Sequence, residues 1–106
     1  MLKTPITLMV NQVSQTEHSE AHRRILSIHG PVGQGQWQHT QTQAIDFIER
    51  WQFSYYLVRD GRPVRLVIGR TTDGETFLKT EQDDDIPTLL LQLPPPLPAT
   101  NQPHLA

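Results

Sequence analysis

Two Asp-Gly dipeptides, Asp60-Gly61 and Asp73-Gly74, punctuate a long alternating stretch of this chain and constrain its fold more than any other feature. Asp-Gly supplies the positive φ angles that two-residue hairpin turns need. Residues 55–59, 62–70 and 76–80 are rich in β-branched, aromatic and aliphatic side chains and read as three strands of an antiparallel meander. With two-residue turns the register follows by counting. Arg59 faces Arg62, Leu57 faces Val64, Tyr55 faces Leu66, Arg70 faces Phe77 and Ile68 faces Lys79. One sheet face then carries Phe53, Tyr55, Leu57, Val64, Leu66, Ile68 and Phe77 and is expected to be core. The other carries Tyr56, Val58, Arg65, Val67, Gly69 and Leu78. That second face is mixed, so it is either partly covered or functional.

A core face needs a cover, and the segment before the meander supplies one. Thr40 is a candidate N-cap with Gln43 three residues later, the spacing of a capping box. Ala44, Phe47, Ile48 and Trp51 then recur at i, i+3, i+4 and i+7, which puts them on one helical face. Upstream, residues 6–13 and 24–29 read as two further strands, and residues 12–21 are polar and read as loop. Gly30-Pro31 is expected to end the second strand, with Gly33 and Gly35 keeping the chain in loop form up to Trp37. Downstream, residues 86–93 read as a short helix with Asp85 as N-cap and Pro87 in its first turn. Ile86, Leu90 and Leu93 have the spacing for packing. Pro94, Pro95, Pro96 and Pro98 then stop regular structure. The expected class is α+β: a small antiparallel sheet in the order β-β-α-β-β-β with a short C-terminal helix. Residues 1–94 form the domain, and residues 95–106 form a proline-rich tail that reads as disordered.

At 106 residues the chain fits one domain, and 36% hydrophobic residues make its core modest. There is no cysteine, so disulfides, thiolate metal sites and cysteine nucleophiles are excluded. The net charge of −2 gives no global attraction to phosphate backbones or anionic lipid. The apolar run at residues 6–10 is too short for a signal peptide or a membrane span. The expected setting is the cytoplasm.

The order of motifs resembles a small bacterial family of domains of unknown function. The resemblance rests on Ala44-Ile45 in the helix, Tyr55-Tyr56-Leu57-Val58 and Phe77-Leu78-Lys79-Thr80 in the strands, Asp83, and the closing Leu90-Leu91-Gln92-Leu93-Pro94. It covers residues 4–94 and implies the one-domain α+β fold. It implies no activity. This chain departs from the family pattern in two places. Trp51-Gln52 stands where the family tends to end its helix with Gly, and Leu89 stands where it tends to carry Asn.

Among polar residues, His18, His22, His29 and His39 invite a metal reading, with Glu17 and Glu20 nearby. The segment does not read as a helix and lacks a His-Glu-x-x-His pattern, so exposed loop histidines are preferred. Glu81, Asp83, Asp84 and Asp85 lack the alternation and central Gly of a calcium loop, and read as a solvated turn at a helix N-terminus. No nucleophile elbow, Walker loop or dinucleotide fingerprint is present. Gly30-Pro31-Val32-Gly33-Gln34-Gly35 reads as a connection, not a phosphate cradle. Ser27 or Ser54 with a histidine and Asp46 could be drawn as a triad, but sequence does not establish that geometry. No catalytic residue, metal or cofactor is therefore assigned. Pro95-Pro96-Leu97-Pro98 resembles ligands of proline-recognising domains, though such stretches more often simply end a domain.

The arginines are more informative. Arg59, Arg62, Arg65 and Arg70 belong to the hairpin region, and like charges directly opposite in a sheet are destabilising. An anion or an acidic partner would relieve Arg59 and Arg62. Solvation, with Arg65 stacked on Tyr56, is the competing reading. The candidate binding residues are Arg59, Arg62, Arg65 and Tyr56. The leading expectation is a non-enzymatic interaction or accessory module that binds another protein and not a membrane. The alternative is nucleic-acid or small-anion binding through the arginine cluster.

Overall fold

A computed structural model of the chain describes residues 5–96. The expected tail from residue 97 onward lies outside the described residues. The strands are β1 (Ile6–Met9), β2 (Gln12–Gln15), β3 (Ile25–Val32), β4 (Gly35–Thr40), β5 (Phe53–Arg59), β6 (Arg62–Arg70) and β7 (Thr76–Thr80). Helix α1 (Gln41–Trp51) joins β4 to β5, and α2 (Thr88–Leu91) follows β7. A 3-10 turn, Ala21–Arg23, precedes β3. One sheet has the order β1-β5-β6-β7 and the other β2-β3-β4. All pairs are antiparallel except β1 with β5. The α+β class holds, and the element order gains two strands.

The two extra strands have different causes. Residues 6–13 do not form one strand, because the chain changes sheets at Val10. The Val10 N–H donates to the Tyr56 carbonyl at 2.7 Å, and the next N–H, of Asn11, donates to the His29 carbonyl at 3.0 Å. Gly30 sits at this joint against the Met9 carbonyl. The second extra strand replaces the expected loop up to Trp37. β3 continues through Gly30 and Pro31 to Val32, which pairs with Gly35. Gly33 has φ +53° and Gln34 does not take a positive φ, so the two form a tight turn of the type that needs glycine first.

Helix α1 forms where the capping box places it. The Thr40 hydroxyl accepts from the Gln43 N–H at 3.0 Å, and the Gln43 side chain accepts from the Thr40 N–H at 2.9 Å. Ala44 is fully buried, with Ile45 and Ile48 packed on the core, whereas Trp51 at the helix end is 48% exposed. The helix closes on Gln52 in the left-handed region, φ 60° and ψ 31°. Gln41, in the first turn, ties the halves together. Its amide donates to the Ile25 carbonyl at 3.2 Å, while its oxygen accepts from the Leu78 N–H on the outer edge of β7 at 2.8 Å.

The first hairpin has the expected register, Arg59 opposite Arg62 and Leu57 opposite Val64. Asp60 at φ 54° and Gly61 at φ 77° give a two-residue turn with both centres left-handed. The second hairpin is shifted by one residue: Arg70 faces Thr76, Gly69 faces Phe77 and Ile68 faces Leu78. Here only Gly74 has positive φ, and the loop is closed by the Thr71 N–H on the Glu75 carbonyl at 2.9 Å. A one-residue shift exchanges faces. Leu78 therefore lies in the core, and Phe77 lies on the other side across Gly69, covered by His22 of the 3-10 turn at a ring separation of 5.4 Å.

The core brings Val13, Ile25 and Ile28 of one sheet against Tyr55, Leu57, Val64, Leu66 and Leu78 of the other, with Ala44 and Leu90 from the helices. Leu90 and Pro87 are buried but Ile86 is exposed, and Pro87, not Asp85, is the N-cap of α2. The chain stays attached as far as Pro94, whose carbonyl accepts from the Val13 N–H at 3.0 Å. Among the described residues, no helix is long and apolar enough to cross a membrane.

Candidate functional site

Strand alternation sends Tyr55 and Leu57 inward and leaves Ser54, Tyr56 and Val58 on the outer face of the four-stranded sheet. The pairing sets Thr7 beside Ser54, Arg65 opposite Tyr56 and Pro63 opposite Val58. Together with Gly61 and Glu81 these residues line an open groove of about 580 Å³. Val58 is 50% exposed at its floor. Glu81 stands at one side, where its carboxylate accepts the Arg65 backbone N–H at 3.3 Å.

The four residues singled out from the sequence are not brought together. Tyr56 and Arg65 lie in the groove. Arg59 and Arg62 face each other on the opposite side of the hairpin, beside its turn. Arg59 donates from Nη1 to Gln92 Oε1 at 3.0 Å, so it is held by a neutral side chain at the end of α2. The Arg65 guanidinium has no partner among the described residues, and the stacking on Tyr56 is not made. Thr7 and Pro63 line the groove without having been recognised in the sequence, and Ser54 and Glu81, weighed there for a triad and a cation site, line it too. For Pro63 the signal was present: a two-residue turn at Asp60-Gly61 places it opposite Val58. Thr7 could not be found, because the parallel pairing of β1 with β5 leaves no local trace.

The histidines do not converge. Their environments are separate, and no group of three His, Asp or Glu among the described residues could hold a metal. His18 Nδ1 accepts the Glu20 N–H at 3.0 Å. His22 Nε2 lies 3.3 Å from Glu75 Oε1, which also takes Arg23 at 2.8 Å. The Arg23 hydrogen bond, chiefly, holds the Glu75 carboxyl below its ordinary range. His29 is buried, with Nε2 at 2.8 Å from Ser14 Oγ and 2.9 Å from Ser27 Oγ. His39 Nδ1 lies 2.8 Å from Tyr55 Oη. Burial pushes the pKa of both rings down.

The other candidates resolve into structural roles. Asp46, the carboxylate considered for a triad, pairs with Arg50 at 2.8 Å, and Ser54 lines the groove instead of meeting a histidine. The acidic run is a folded turn: Asp83 Oδ2 accepts from the N–H and hydroxyl of Thr80 at 3.0 Å each, and Lys79 Nζ donates to the Asp84 carbonyl at 2.6 Å. Two further depressions, one beside Thr16, His18 and Arg24 and one between the 3-10 turn and α2, are lined mainly by polar side chains. The groove over Tyr56, Val58 and Pro63 is more apolar than either. Comparison with family models, with curated proteins and with solved structures found no match.

Proposed function

We propose that this chain is a non-enzymatic interaction module that docks onto another protein through the outer face of its four-stranded sheet. The observation that carries the reading is the groove floored by Tyr56, Val58 and Pro63, where an exposed valine and proline lie beside a partly buried tyrosine on one sheet face. Interface cores favour aromatic and aliphatic anchors ringed by polar groups, and Arg65, Glu81, Ser54 and Thr7 supply such a ring. The test is affinity capture from the native host with the wild-type chain and with Val58→Asp. A partner retained by the first and lost by the second supports the reading. Identical capture by both removes it.

A second reading is supported by a different pair of residues. Arg59 and Arg62 stand directly opposite one another beside the turn, and among the described residues neither is paired with a carboxylate. A phosphate or carboxylate bridging both would offset their repulsion. Titration with short single-stranded DNA and RNA at low salt tests it, since binding of this kind falls steeply as salt rises.

A further inference from the structure

We propose that the groove takes an extended peptide segment of the partner protein that carries a carboxylate two positions from an aliphatic or aromatic side chain. This rests on the protein-docking reading and names the chemistry of what docks. Arg65 is the residue that decides it. Arg23 and Arg50 are each paired with a carboxylate; the guanidinium of Arg65, like those of Arg62 and Arg70, has no partner among the described residues, and of these three Arg65 is the one that lines the groove. The carboxylate nearest in the groove, Glu81, is engaged by the Arg65 backbone N–H and not by its side chain.

An occupant that covers Val58 and Pro63 also strips water from the neighbouring Arg65, because both flank it in the same groove. A desolvated guanidinium without a countercharge is costly. The occupant must therefore bring an anion, and a carboxylate can meet the guanidinium with two parallel hydrogen bonds.

Spacing supplies the rest. Pro63 and Arg65 are two residues apart on β6 and point the same way. Two residues of strand span roughly 6.6 Å. Side chains i and i+2 on one side of an extended peptide have the same separation. A peptide lying along β6 can then set an apolar side chain over Val58 and Pro63 while the carboxylate two positions away meets Arg65.

The test is selection from a random-peptide phage library on the immobilised wild-type chain and, in parallel, on Arg65→Glu and Arg65→Gln. Circular dichroism of the variants checks that each is folded. The wild type is expected to enrich Asp or Glu two positions from Leu, Ile, Val, Phe or Trp. Arg65→Glu is expected to enrich Lys or Arg at the same spacing. Arg65→Gln should bind the wild-type peptides about two- to fivefold more weakly. Enriched peptides that compete with the native partner but show no charge preference, or the same preference in Arg65→Glu, overturn the inference and leave the docking face standing. No enrichment at all, or displacement of every selected peptide by single-stranded oligonucleotide, overturns both.

Discussion

The Tyr55 hydroxyl and His39 Nδ1 lie 2.8 Å apart at the centre of a ring cluster formed with Trp37, Phe47 and Phe53. Tyr55 is fully buried, and burial raises its pKa far above the usual phenol value, so it keeps its proton. The hydrogen bond joins a protonated phenol to a neutral imidazole, whose tautomer sets which of the two donates. Protonating His39 places a charge among aromatic side chains. His29, buried beside Ser14 and Ser27, has its pKa lowered by the same cause.

The sign of the pH dependence follows. Both rings have folded-state pKa values below 6.5, so the unfolded chain binds more protons in the interval between. Their contribution to stability is complete above about pH 6.5 and is lost as pH falls through the lowered folded values. The urea midpoint should fall on acidification from pH 7.5 to 5.5, and His39→Gln with His29→Gln should flatten the profile. A wild-type midpoint constant over that range contradicts the assignment.

Gly30 should tolerate no side chain. A Cβ there would run into the Met9 carbonyl and the Trp37 indole at the joint between the sheets, and a backbone carbonyl cannot swing aside. Gly30→Ala is expected to cost about 3 kcal/mol. Gly35→Ala meets nothing closer than the Val32 carbonyl at 3.8 Å and should be nearly neutral. Equal denaturant midpoints for the two variants would show that the joint is not tight.

Gln52 predicts a gain. It caps α1 at φ 60°, a conformation that costs a non-glycine residue about 1–2 kcal/mol and that glycine adopts freely. Gln52→Gly should raise the melting temperature by several degrees. A decrease would mean that the Gln52 side chain matters more than its backbone.

Gln41 predicts a loss that no apolar replacement can make good. Its side chain accepts from Leu78 N–H and donates to the Ile25 carbonyl, so Gln41→Leu takes that partner from two part-buried backbone groups. The expected cost is about 2–3 kcal/mol, read from chemical unfolding. A loss below that of an ordinary surface substitution would place the bridge in solvent.

What could be read from the sequence was whatever depended on neighbours in the chain. The capping box of Thr40 and Gln43 and the turn at Asp60-Gly61 are complete within a few residues, and both form as read. The turn at Asp73-Gly74 looks the same in letters but is not. Asp73 keeps negative φ, the loop closes from Thr71 to Glu75, and the resulting slip moves Leu78 into the core and Phe77 out to Gly69. Gly33 misled in the other direction, since one glycine between β-prone segments serves a tight hairpin as well as a loop. The change of sheet at Val10 depends on a parallel pairing with β5 far along the chain, which no local pattern encodes. For the site, the mixed outer face with Tyr56, Val58 and Arg65 was legible from alternation alone. The separation of Arg59 and Arg62 from it follows from the same alternation, carried one step further.

The most direct test of the central claim is a three-way capture experiment with wild-type protein, Val58→Asp and Leu26→Asp. Val58 and Leu26 are equally exposed, but Val58 lies in the groove and Leu26 on the other sheet. Docking through the groove predicts that the wild-type chain and Leu26→Asp retain the same partner protein while Val58→Asp loses it. Retention by Val58→Asp, or equal loss by both variants, contradicts it.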